Sequence, residues 1–399
     1  MKGNKSLIGV ILLLIGCILF LTGCWGKREV EELAPLMGVG IDLGQKPGTY
    51  LITQQFAIPT KGAGAPEIKD WTVSIEASSA REVTEKVSLI LNRIPFMGSL
   101  MVIVIGEDAA RANFNDLLDF TQRYSKFRRT MYLTLAKGKA QDILTLKLRK
   151  GEIPAMFIKS NIETADDFST FPTVRLGHYL TVLGDKSTAP ILPIVESIKP
   201  GEEGYEYQAK GSDGAQEVRI QGAGVLKGGH LVDSLTDEET KGYMWLDDDV
   251  INRYLSTANV AKSNLTFAGQ VLNSKTKYKV LSNNGTMEIQ YHIESSIGLD
   301  EVMGLKEQLP ETEWVDLMKG VETSFAKAIQ KECELSIKKE KESGLDFLGI
   351  GRHIEQRQPA YWKTIKDQWE QKIADFPVSI DVQVTVHHTG MSSSSAATN

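Results

Sequence analysis

Cysteine is scarce in this chain: Cys17, Cys24 and Cys333 are the only three in 399 residues. That excludes a disulfide framework of the kind that holds small secreted domains together, so a packed core must supply the stability. Histidine is also rare. His178, His230, His292, His353, His387 and His388 never fall two to a helix face beside a glutamate, the spacing of a zinc hydrolase. His387 and His388 are neighbours in a strand pattern and point to opposite faces. There is no Gly-x-Ser-x-Gly elbow and no Walker loop, and Gly38-Val39-Gly40 lacks the third glycine and the helix of a phosphate cradle. Asp247-Asp248-Asp249 lacks the alternating oxygens and glycine turn of a calcium loop. No metal, cofactor or catalytic set is implied. A bilayer-crossing run is missing too, because the apolar stretch at 7–21 falls short of the roughly 17–25 residues a span needs.

That short run is informative for what surrounds it. Lys2 and Lys5 precede it, and Leu21-Thr22-Gly23-Cys24 ends it, the order of a secretory signal with small residues ahead of a cysteine. This is a lipobox, so residues 1–23 are expected to be removed and Cys24 to carry diacylglycerol. Two acyl chains anchor a protein stably, which places the mature chain on the outer face of a bacterial membrane. Losing Lys2 and Lys5 leaves 43 basic against 51 acidic side chains, a formal charge of −8, and a nucleic acid partner is excluded. With Cys17 removed and Cys24 acylated, Cys333 has no partner. It lies on the apolar stripe of a helix and reads as a packed core thiol, since a reactive one needs exposure and positive neighbours.

The remaining length favours two or three domains. Residues 37–42 and 50–56 read as a hairpin, within an arm at 35–58. From 67 to 200 strand-like and helix-like segments alternate: strands at 71–75, 100–105 and 131–136, helices at 80–94, 113–123 and 139–148. The run at 100–105 is apolar throughout, as in a strand covered on both faces. Polar glycine-rich sequence at 201–216 marks the main boundary. Beyond it come strand patterns at 222–226 and 231–235, a capping box at Thr236-Asp237-Glu238-Glu239 and a hairpin across Asn284-Gly285. A helix at 312–343 carries Trp314, Met318, Val321, Phe325, Ile329, Cys333 and Ile337 on one face. Its end at 338–342 is charged and reads as solvated. A closing strand follows at 378–386.

The expected architecture is mixed α/β (α+β), each domain a sheet flanked by helices, with one long helix in the C-terminal domain. The divisions are a leader at 1–23, an N-terminal region at 24–205 of two α/β subdomains, a C-terminal domain at 215–390 and a disordered tail at 391–399. Two surface features remain. Arg123, Lys126, Arg128 and Arg129 form a basic cluster of the kind that meets lipid headgroups, an acidic partner or, by default, solvent. Trp362, Ile365 and Trp369, with Tyr361 beside them, make an aromatic stripe that reads as core.

Several segments together resemble one family. Gly23-Cys24-Trp25 with Arg28-Glu29, Gly38-Val39-Gly40-Ile41-Asp42, Val104-Ile105-Gly106-Glu107, Asp346-Phe347-Leu348-Gly349-Ile350-Gly351 and Tyr361-Trp362 resemble the Ger(x)C family, the lipoprotein C subunits of spore germinant receptors. The resemblance implies a non-enzymatic protein held on the spore inner membrane by lipid on Cys24. It implies partnership with the polytopic A subunit and the transporter-like B subunit, and a role in the response to nutrients. Nutrient binding by this subunit itself is not expected. A solute-binding lipoprotein of a membrane transporter is the alternative, although no internal repeat suggests two lobes around a cleft.

Overall fold

The computed structural model describes residues 32–60, 67–123, 127–148, 152–185, 187–198, 202, 217–247, 250–258, 260, 264–283, 286–305 and 310–388. The leader, Cys24, Lys126, Asp248, Asp249, the Asn284-Gly285 turn and the tail lie outside these residues.

The first sheet begins as an antiparallel meander of β1 (Leu33–Leu43), β2 (Tyr50–Thr60) and β3 (Glu67–Ala77). It continues from the other side of β1 through β5 (Val102–Gly106), β6 (Tyr132–Ala136) and β7 (Ile191–Ile198), all parallel to β1. A three-residue strand, β4 (Ile94–Phe96), also pairs with the start of β1. The crossovers are helical: α1 (Ala80–Ser88), α2 (Glu107–Ala112) and α3 (Asn115–Arg123), then α4 (Ala140–Leu144), α5 (Pro154–Phe168) and α6 (Leu176–Leu183). β5 is covered on both faces, as its apolar run predicts. Ile103 and Ile105 pack with Val83, Phe114 and Tyr179, whereas Val102 and Val104 pack with Ile143, Ile158 and Ile162.

Several boundaries differ from the sequence pattern, each for a local reason. α1 stops at Ser88 instead of running to 94, because Ile94 precedes Pro95 and is drawn into β4 beside Leu33. Ile90 and Ile94, which in a helix over 80–94 would share a face with Val83 and Val87, are exposed. α4 occupies half of 139–148, and α3 starts at Asn115 because Asn113 takes φ 126°. α5, α6 and β7 carry no strong signal in the sequence pattern. They are recognised only by the faces they bury.

The sheets also divide the chain differently. β8 (Glu217–Lys227) pairs antiparallel with β7 across the glycine-rich stretch, and β9 (His230–Leu235) pairs with β8. Both strands complete the first sheet, whose order is β3-β2-β1-β5-β6-β7-β8-β9 with β4 beside β1. β7 and β8 are thus sequence neighbours and sheet neighbours, the antiparallel pairing giving the edge of β7 its backbone partners. The hairpin is likewise no subdomain, because β1 lies inside this sheet.

The second sheet follows α7 (Asp237–Leu246), which opens with the expected capping box: Thr236 Oγ1 accepts from Glu239 N, and Glu239 Oε2 accepts from Thr236 N. Its order is β10 (Tyr254–Ala258), β11 (Thr266–Asn283), β12 (Thr286–Met303) and β13 (Val378–His388), the last pair parallel. α8 (Glu311–Ser343) lies against it, about 50 Å long at ~1.5 Å per residue. Val321, Phe325, Ile329, Cys333 and Ile337 are buried, as their spacing predicts. Short helices α9 (Ile350–Arg357), α10 (Pro359–Ile365) and α11 (Trp369–Lys372) close that end. One core joins the two halves, with Ile191, Ala223 and Val225 packed in the same cluster as Trp245, Phe325 and Trp369.

Candidate functional site

Among the described residues, the Gly38–Asp42, Val104–Glu107 and Asp346–Gly351 segments of the family resemblance are built around two buried carboxylates, Asp42 and Asp346. Asp346 follows the left-handed Gly344 (φ 66°) that ends α8 and precedes a second left-handed glycine, Gly349 (φ 70°), that opens α9. These turns fold the chain back so that Asp346 Oδ1 accepts from Ile350 N at 2.7 Å and Oδ2 from Gly351 N at 2.6 Å. Trp369 Nε1 donates to the same Oδ2 at 2.7 Å. A Cβ on Gly351 would lie 2.7 Å from Trp369 Nε1 and 2.9 Å from Asp346 Oδ2, so glycine is needed there. The carboxylate thereby satisfies the open N–H groups at the start of α9. The aromatic stripe is core, as expected, with Trp362, Ile365 and Trp369 all buried.

The helix end read as solvated contains a buried acid. Glu340 is fully buried; its Oε1 accepts from Leu348 N at 2.9 Å and its carboxyl faces Asp346. The polar pattern at 338–342 conceals it because the segment after the helix returns over that turn. Burial raises Glu340 well above the usual carboxyl range, and the neighbouring Asp346 charge adds to this. Asp346 is pushed up to about 6 by burial, against the opposing donors Gly351 N and Trp369 Nε1. Of the two carboxyls, Glu340 is the one whose protonated form the core favours more strongly. Nearby, His353 is held down to about 4, first by burial and then by Arg352 and Arg357. It stacks on Tyr278 at 3.8 Å between ring centres.

The second carboxylate is Asp42, at 4% exposure. Its two oxygens accept from Ala140 N and Gln141 N, both at 2.8 Å, at the start of α4. Burial raises its pKa, with the Gln141 and Ala140 hydrogen bonds opposing. β1 and β5 are neighbours here (Ile41 beside Ile105), and a Cβ on Gly106 would fall 2.0 Å from Asp42 Oδ1. The glycines of β1 serve packing rather than phosphate: a Cβ on Gly38 would be 2.6 Å from Ala155 Cβ, beneath α5. Sequence reasoning missed Gln55, fully buried on β2, which accepts from Ala155 N and donates to Leu144 O, each at 2.9 Å. A polar residue inside the strand pattern 50–56 was its only signal.

Three cavities lie nearby. Two, of about 240 and 340 Å³, flank the segment around Asp346 where the halves meet, and Ala189 N donates to Asp346 O at 2.7 Å between them. The third, about 490 Å³, opens at the carboxyl end of β6 and is lined by Glu107, Arg111, Lys137, Glu196, Arg219 and Glu238. Its charges are largely paired, Glu196 with Lys137 at 2.8 Å and with Arg219 at 2.6 Å.

Of the residues singled out from sequence, Cys24 lies outside the described residues, and so does Lys126 of the basic cluster. Arg128 and Arg129 are exposed and Arg123 pairs with Asp119. Cys333 is buried, its thiol pushed well up by burial. Among the described residues no group of three or more His, Cys, Asp or Glu is placed to hold a metal, and no helix is long and apolar enough to cross a membrane.

A helix-flanked sheet joined through a shared cluster to a second sheet with a long helix is the fold of a solved protein. The crystal structure of the GerBC protein superposes with a TM-score of 0.56 and 19% identity, covering 88% of this chain and 96% of that one. Residues 26–197 match the spore germination protein N-terminal domain, and residues 221–390 the spore germination B3/GerAC-like C-terminal domain. The chain belongs to the Ger(x)C family of spore germination proteins. Among relatives from Bacillus subtilis (strain 168), it is 26% identical to spore germination protein KC across 97% of each chain. It is 24% identical to spore germination protein B3 across 93% of this chain and 95% of that one.

Proposed function

We propose that this protein is a lipid-anchored, non-enzymatic subunit of a spore germinant receptor, needed for the response to nutrients. It is held on the outer face of the spore inner membrane by diacylglycerol on Cys24, and it assembles with the A and B subunits. The observation that carries this reading is the junction of two features. The match to the germination N-terminal domain begins at residue 26, directly after the lipobox Leu21-Thr22-Gly23-Cys24. The non-enzymatic part is supported by what the motif residues do: Asp42 and Asp346 spend their acceptor capacity on backbone N–H groups and a tryptophan, inside the core.

The test is genetic. Deleting the gene should abolish germination with the nutrients of its own receptor and leave nutrient-independent germination intact; an unchanged nutrient response contradicts the proposal. Calorimetry of the mature chain against amino acids and sugars should give no saturable binding. Tight binding of one solute would favour the solute-binding alternative.

A further inference from the structure

Among the described residues, exposed large apolar side chains are densest along the chain in one place. Leu89, Ile90, Ile94 and Phe96 are 80%, 58%, 39% and 44% exposed, four within eight residues. Scattered apolar residues need no explanation, whereas a cluster does. The loop is fixed from beneath by Met97 and Leu100, which are buried, and by Leu91, which packs on the core. Its outward side chains are therefore presented by a braced backbone. Arg93 is the only charged residue between Lys86 and Glu107, and no carboxylate interrupts the stretch in a chain that is acidic overall.

Position indicates what covers it. β4 pairs with the first residues of β1, Leu33 beside Ile94 and Pro35 beside Phe96. Leu33 is nine residues after Cys24, a reach of at most about 32 Å when fully extended. The loop thus lies at the end of the sheet where the chain arrives from its anchor. The charged cavity lined by Lys137 and Glu196 lies at the opposite, carboxyl end of the parallel strands.

We infer that residues 89–96 form a membrane-contact loop, with Leu89, Ile90, Ile94 and Phe96 entering the headgroup and upper acyl region of the bilayer. This inference rests on lipidation at Cys24. Loop insertion gives the anchored protein a fixed orientation, the sheet standing on its amino-terminal edge and the charged cavity facing away. An apolar surface of this kind sits roughly 5–10 Å into the headgroup/acyl boundary.

The full lipidated chain tests it in vesicles of phosphatidylglycerol and phosphatidylethanolamine. Ile90→Cys carries a thiol fluorophore, with Leu89→Cys as a second site and Glu238→Cys, at the charged cavity, as the reference; buried Cys333 does not compete. Brominated acyl chains should quench the labels at 90 and 89, more strongly for bromines near the interface than for deep ones, and should leave the label at 238 bright. Vesicles that float with bound protein but leave 89 and 90 unquenched overturn the loop and spare the anchor; the patch would then belong to a protein partner. Protein that does not float overturns the anchor, and the loop with it.

Discussion

Glu340 and Asp346 are neighbouring buried acids, both held above the usual carboxyl range, and this has a sign in pH. Both groups bind protons more tightly folded than unfolded, so their contribution is complete below the unfolded values of 4.5 and 3.8. It is lost as pH rises, through about 6 for Asp346 and higher for Glu340. Glu340→Gln keeps the shape and removes the titration, so it should gain on the parent by up to ~1.4 kcal/mol per pH unit above 4.5 until the folded value is passed. Urea melts of the two proteins from pH 5 to 8 check this, and parallel curves would mean that Glu340 is ionised in the fold. Asp346→Ala strands three donors and should cost about 1–3 kcal/mol in the same assay. Cys333, by contrast, should resist thiol reagents until the protein is denatured; rapid labelling of the native chain would show that the long helix opens readily.

At the scale of elements, α7 and α8 touch through their backbones. A Cβ on Gly242 would lie 2.0 Å from Glu332 O, and Trp245 Nε1 donates to Glu332 Oε2 at 2.8 Å close by. Gly242→Ala forces the helices apart and should lower stability by about 1–3 kcal/mol, read as a shift of the urea midpoint. The long helix and the closing strand were legible in the sequence because their periods of 3.6 and 2 persist over many residues. The Ala80–Ser88 helix was overextended because Ile90 and Ile94 continue the helical period while the tertiary pairing of Ile94 with Leu33 overrides it. Asp346 stood out as part of a motif, but its partner Glu340 did not: acids on a charged helix end look solvated until the chain that covers them is placed. Gln55 was hidden for the same reason, since burial of a polar side chain depends on contacts some hundred residues away.

The two sheets share one hydrophobic cluster, and the linker at 201–216 joins adjacent strands of the first sheet. A polar glycine-rich sequence is the natural site of protease attack. Limited proteolysis should therefore cut between Gly201 and Gly214. The fragments should remain associated on a sizing column, because β7 and β8 stay paired and Ile191 and Val225 share a cluster. Fragments that separate without denaturant would contradict the shared core.

Lipidation at Cys24 underlies both the receptor reading and the orientation of the apolar loop at 89–96. Mass spectrometry of the amino-terminal peptide, from protein extracted out of spore membranes, tests it most directly. The account predicts a mature chain that begins at Cys24 and carries a diacylglyceryl mass on that residue. A chain that retains residues 1–23, or begins elsewhere without lipid, would contradict it.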